Sequence, residues 1–125
     1  MKIKVSEATG TALNWLVEQC EMMRPDYRDS GLLIHRVGYD MPMPKYSTEW
    51  EQGGPIIERE ITGVDLVSEW KNSKKWSARK FEYLPNDQTR CTEQCGPTAL
   101  VAAMRCYVAH KLGDYADVPE ALSHA

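Results

Sequence analysis

The chain predicts an α+β fold, a small and mainly antiparallel sheet of three or four strands flanked by two or three helices. Three observations carry that expectation. Residues 97–112 are apolar nearly all round, residues 9–23 carry one apolar stripe at helical spacing, and residues 64–84 hold two β-prone runs around a lysine-rich turn. With 125 residues, 42% hydrophobic and 26% charged, the chain can bury a core without disulfides or a metal, and one domain spanning 1–125 is expected.

The elements follow in order. Lys2-Ile-Lys-Val5 alternates with the period of a half-buried strand and predicts a short outer strand. From Thr9 to Met23, Leu13, Leu16, Val17, Cys20 and Met23 recur at three- and four-residue spacing, with Asn14, Glu18 and Glu21 expected to face away, until Pro25 stops the helix. Leu32 to Val37, bounded by Gly31 and Gly38, reads as a second strand, and Tyr39 to Lys45, with Pro42 and Pro44, as an extended connector. Thr48-Glu49-Trp50-Glu51 reads as a capped turn. Pro55 then opens a short helix with Ile56, Ile57 and Ile61 on one face and Gly63 at its end. Val64 to Trp70 and Trp76 to Leu84 predict a hairpin around Lys71 to Lys75, without a legible register because neither alternating set in the second run is purely apolar. Asn86 to Gln94 reads as loop. Gly96-Pro97-Thr98 opens and Gly113 closes a helix over Pro97 to Leu112 that should be mostly buried. The tail 114–125 is expected to add a short turn at Pro119 to Leu122 or to fray.

Fifteen basic against eighteen acidic residues give a formal charge of −3, which argues against a protein dominated by contacts to a phosphate backbone. Met1 to Gly10 holds Lys2, Lys4 and Glu7 with no apolar run behind them, so neither a signal peptide nor a membrane anchor is expected, and the cytoplasm is the predicted compartment. Cys20, Cys91, Cys95 and Cys106 are read as reduced thiols, two of them acting as small core hydrophobes.

Three stretches carry a family resemblance: Lys2-Ile-Lys-Val-Ser-Glu7 with the Thr9-Gly10 helix, Tyr46-Ser-Thr-Glu-Trp50 with Gly53-Gly-Pro-Ile-Ile-Glu-Arg-Glu60, and Gly96-Pro-Thr-Ala-Leu-Val-Ala-Ala-Met-Arg-Cys-Tyr-Val108 with Lys111-Leu-Gly-Asp114. In this order they resemble the NinX-like family of small lambdoid phage and prophage proteins. More distantly, the arrangement is similar to phage ABA sandwich domains, in which helices flank a small sheet. The resemblance implies a setting, an accessory product in an infected bacterial cytoplasm, and carries over no catalytic residue.

Chemistry-bearing patterns are few. Cys91-x3-Cys95-x10-Cys106-x3-His110 has a zinc-like look, but along a helix from Pro97 Cys106 lies about 13 Å from the start, whereas sulfurs sharing a zinc lie within ~4 Å of one another. No metal and no cofactor are expected. Cys106 and His110 share a helix face as a conceivable nucleophile and base, which with a pocket carboxylate keeps a small cytoplasmic enzyme as an alternative, but the sequence has no oxyanion loop and no phosphate-binding Gly-Lys-Ser/Thr motif. Lys71, Lys74, Lys75, Arg79 and Lys80 beside Trp70 and Trp76 resemble a nucleic-acid patch, which Glu69 and Glu82 oppose. The leading candidate is a ligand pocket. Gly53, Gly54, Gly96 and Thr98 place backbone amides at two expected helix starts, Tyr46, Ser47, Thr48 and Trp50 supply hydroxyls and a stacking face, and Arg105 needs a carboxylate such as Glu58 or Glu60, or a ligand anion. The expected function is non-catalytic binding of a host or phage protein, or of an anionic small molecule such as a nucleotide signal.

Overall fold

The computed structural model describes residues 1–24, 44–71 and 73–122. The strand expected at 32–37 and the connector up to residue 43 lie outside the described residues. The remainder is α+β, with three helices, a three-stranded antiparallel sheet and a two-stranded ribbon.

Strand β1 (Lys2–Lys4) is the outer strand that its alternation predicts, and it pairs with β5 (Tyr115–Asp117) from the other end of the chain. The amino group of Met1 donates to the Val118 carbonyl at 2.8 Å, which ties down residues read as tail. The short turn expected there is a single 3₁₀ turn, Glu120–Leu122.

Helix α1 (Gly10–Met22) buries Leu13, Leu16, Val17 and Cys20 as its stripe requires. Asn14, Glu18 and Glu21, expected to face away, are also buried. The reason is a second cover built from distant residues. Asn14 Oδ1 accepts from the Ser47 amide at 2.9 Å and the Ser47 hydroxyl at 2.8 Å, Tyr46 Oη lies 3.5 Å from Glu18, and Arg59 reaches Glu21 at 2.5 Å.

Helix α2 (Trp50–Glu60) begins five residues before Pro55, so Gly53, Gly54 and Pro55 lie inside it rather than at its start. The Gly53 amide already donates to the Glu49 carbonyl at 2.9 Å. Glycine is needed at 53 for close approach, because a Cβ there would run into the Tyr46 carbonyl and lie 2.7 Å from Leu100 Cδ2.

Strands β2 (Gly63–Trp70) and β3 (Ser73–Tyr83) form the expected hairpin, turning at Lys71 with φ 47° and with an irregularity between Leu66 and Ser68. The turn is shorter than the sequence suggests, so Lys74 and Lys75 belong to β3. Residues 86–94, read as loop, instead hold a 3₁₀ turn ending at Asp87 and most of β4 (Thr89–Gly96), which pairs with β3 from Trp76↔Gly96 to Tyr83↔Thr89. An edge strand with one solvated face needs little apolar sequence, which is why β4 does not announce itself.

Helix α3 (Ala99–Leu112) is buried continuously from Leu100 to Ala109. It packs against β3 and β4 on one side and against α1 and α2 on others, so a helix apolar all round sits at the centre. Ala78 on β3 is fully buried beneath it. Gly96 permits the close approach, since a Cβ there would come within 2.8 Å of the Ala102 amide nitrogen. No described helix is long and apolar enough to cross a membrane.

Candidate ligand groove

Where α2 and α3 begin, the fold leaves a groove of about 400 Å³. Ser47, Thr48 and Trp50 form one wall, and Trp76, Thr98 and the first turn of α3, Ala99 to Val101, form the other. The lining is uncharged and mainly apolar. Trp50 is 59% exposed at the rim. Thr98 fixes the second wall, because its hydroxyl accepts from the Val101 amide at 3.1 Å and so caps α3.

Four of the expected pocket residues therefore meet: Ser47, Thr48, Trp50 and Thr98. The other five do not line the groove. Tyr46 is buried with its hydroxyl toward Glu18, Gly53 is closed off by Tyr46 and Leu100, Gly54 lies within α2, and Gly96 is packed under the first turn of α3. Arg105 also lies elsewhere, and its expected carboxylate partner is not the one found. Its Nε donates to the Ala8 carbonyl and its Nη1 to the Cys95 carbonyl, both at 2.8 Å. Two backbone carbonyls satisfy the guanidinium, which staples the chain around α3, while burial presses its pKa below the ordinary value. Reasoning from the sequence missed Trp76, which looked like part of a hairpin patch; its signal is an indole next to the expected turn.

The basic patch separates across the sheet. Along β3, Lys75 and Arg79 share one face, and Lys74 and Lys80 share the other. Lys80 pairs with Glu60 at 2.7 Å, and Arg79 pairs with Asp65 and lies 4.0 Å from Glu93. Lys71, Lys74 and Lys75 remain exposed at the tip.

The cysteines do not converge. Cys106 is buried and donates to the Thr92 carbonyl at 3.3 Å, and burial pushes its thiol up to about 12. A protonated thiol with no exposure is not an available nucleophile. His110 lies 3.2 Å from Glu82 Oε2 and 3.3 Å from Thr92 Oγ1, and its carbonyl accepts from Arg90 at 2.7 Å. Burial, then the nearby Lys80 and Arg90, lower its pKa below the ordinary imidazole value. Among the described residues no group of three His, Cys, Asp or Glu side chains is placed to hold a metal.

A polar cluster joins the three helices to β3. Arg59 donates to Glu21 at 2.5 Å and to Glu60 at 2.7 Å, and lies 3.4 Å from the Tyr107 hydroxyl. Burial raises the Glu60 carboxyl, but the hydrogen bonds from Arg59 and Lys80 outweigh it and hold the group at about 2. Each of these charges has its partner inside the cluster, which is the arrangement of a structural clasp.

No curated protein matches the chain. A family model described as bacteriophage P22, NinX matches residues 4–111, the stretch that runs from the first strand through nearly all of α3, and the chain belongs to that NinX family of phage proteins.

Proposed function

We propose that this chain acts by binding, as an accessory phage protein in the cytoplasm of an infected bacterium, and that the groove between the starts of α2 and α3 receives an apolar or aromatic side chain of a host protein. The observation that carries the reading is the groove's lining: two indoles and a helix turn without a charged side chain, with Trp50 standing 59% exposed at the rim. Indoles at such rims bury a large area while losing little side-chain freedom, and they dominate many protein contacts. The test is co-purification from infected cells. Trp50→Ala should lose partners that the wild type and Lys74→Glu/Lys75→Glu both retain. Recovery of the same partners by Trp50→Ala contradicts the reading.

A nucleotide-like anion is a second reading, favoured by the meeting of two helix starts, whose backbone amides attract negative charge. It predicts quenching of tryptophan fluorescence by nucleotides that weakens with salt. An enzyme mechanism through Cys106 and His110 has no comparable support, since Cys106 is enclosed.

A further inference from the structure

The groove wall formed by Ser47, Thr48 and Trp50 rests on a helix that does not line it. These residues stand on a single turn and the helix start that follows, closed by the Thr48 and Glu49 amides donating to the Lys45 carbonyl at 3.2 and 2.8 Å. No residue of α1 reaches the groove. Yet Asn14, Glu18 and Glu21, spaced to share one face of α1, are all buried against this wall and the helix that continues it. Asn14 meets Ser47, Glu18 faces Tyr46, and Glu21 holds Arg59 of α2.

Of these contacts, the one at Asn14 controls the wall most directly. Its Oδ1 accepts both the Ser47 amide, at 2.9 Å, and the Ser47 hydroxyl, at 2.8 Å, so one oxygen fixes the backbone and the side chain of the same residue. Ser47 is 2% exposed, so solvent does not supply a substitute acceptor, and an apolar residue at position 14 would orphan a buried amide. From the opposite side α2 closes on the same turn, because a Cβ at Gly53 would run into the Tyr46 carbonyl. The turn is clamped between two helices, and Thr48 and Trp50, which follow directly, take their positions from it.

We propose that Asn14 is a positioning residue for the groove: by holding Ser47 it sets the wall that carries Thr48 and Trp50, and binding depends on it although it lies buried, out of a partner's reach. The inference rests on the groove being the binding site. The apolar stripe of α1 already supplies its share of the core, so a second, polar face that must be desolvated adds little stability of its own. What it supplies is one fixed geometry for the turn, since a buried hydrogen bond admits fewer arrangements than an apolar contact of the same size.

Hydrogen exchange read by mass spectrometry, beside co-purification from infected cells, tests the proposal on the full chain. In Asn14→Ala the peptide over residues 45–50, which holds the Ser47 amide, should speed up by about tenfold more than α3 does, and the partners that Trp50→Ala loses should be lost. Asn14→Asp keeps an acceptor oxygen in the same place and should stay closer to the wild type in both readouts. Arg105→Met, which loosens the chain around α3, should speed α3 without singling out residues 45–50 and should keep its partners. Equal speeding of α3 and residues 45–50 in Asn14→Ala overturns the proposal, as does an Asn14→Asp no better than Asn14→Ala. Partners lost in Trp50→Ala but kept in Asn14→Ala would sink the proposal alone, whereas partners kept in both would sink the groove reading and the proposal with it.

Discussion

Glu60→Gln isolates the contribution of the clasp between α2 and β3. Glu60 Oε2 accepts from Arg59 Nε and Oε1 from Lys80 Nζ, both at 2.7 Å, and the side chain is 14% exposed. A carboxyl held at about 2 against an ordinary 4.5 corresponds, at 1.36 kcal/mol per pH unit, to about 3 kcal/mol of stability. Arg59 and Lys80 retain some solvent contact, and screening reduces this to about 1–2 kcal/mol. Because the folded pKa lies below the unfolded one, the contribution is complete above about pH 5 and fades as the pH falls toward 2. Urea unfolding followed by tryptophan fluorescence from pH 7 downward reads it directly. Glu60→Gln should be less stable than the wild type by about 1–2 kcal/mol at pH 7, and the difference should shrink steadily below about pH 4.5 and close only below about pH 2. Parallel curves, with one constant difference at every pH, would refute the reasoning.

Other outcomes follow from the same geometry. Arg105→Met leaves the Ala8 and Cys95 carbonyls without their charged donor, so it should cost about 2–3 kcal/mol in chemical denaturation while leaving partner binding intact. Thr98→Ala removes the cap on α3 and should cost about 1 kcal/mol, which Thr98→Ser restores; thermal melts compare the three. In native thiol labelling read by mass spectrometry, Cys91 should react first. Cys20 and Cys106, buried with thiols pushed up to about 12, should react only after unfolding; early labelling of either would contradict their placement.

What the sequence makes legible here is what local pattern controls. The central helix announces itself by apolar residues on every side between Thr98 and Gly113, and the hairpin by two β-prone runs around lysines. Strand β4 stays hidden because Thr89-Arg-Cys-Thr-Glu-Gln-Cys-Gly96 has one solvated face and takes its order from pairing with β3. Helix α2 is misplaced because Gly53-Gly54-Pro55 looks like a break, whereas Gly53 is small to let the Tyr46 carbonyl and Leu100 approach. The polar side of α1 is buried through partners 33 and 38 residues away in sequence. Half of the groove was visible as Ser47, Thr48, Trp50 and Thr98. Arg105 was assigned to it because a buried charge suggests a charged partner, and no sequence pattern reveals that two backbone carbonyls do the work instead.

Site-specific photo-cross-linking in infected cells tests the groove most directly. A photoreactive residue at position 48, inside the groove, should form a discrete adduct with a host protein, and one at position 120, outside it, should not. No adduct from position 48, or the same adduct from both positions, would contradict the assignment of the groove as the binding site.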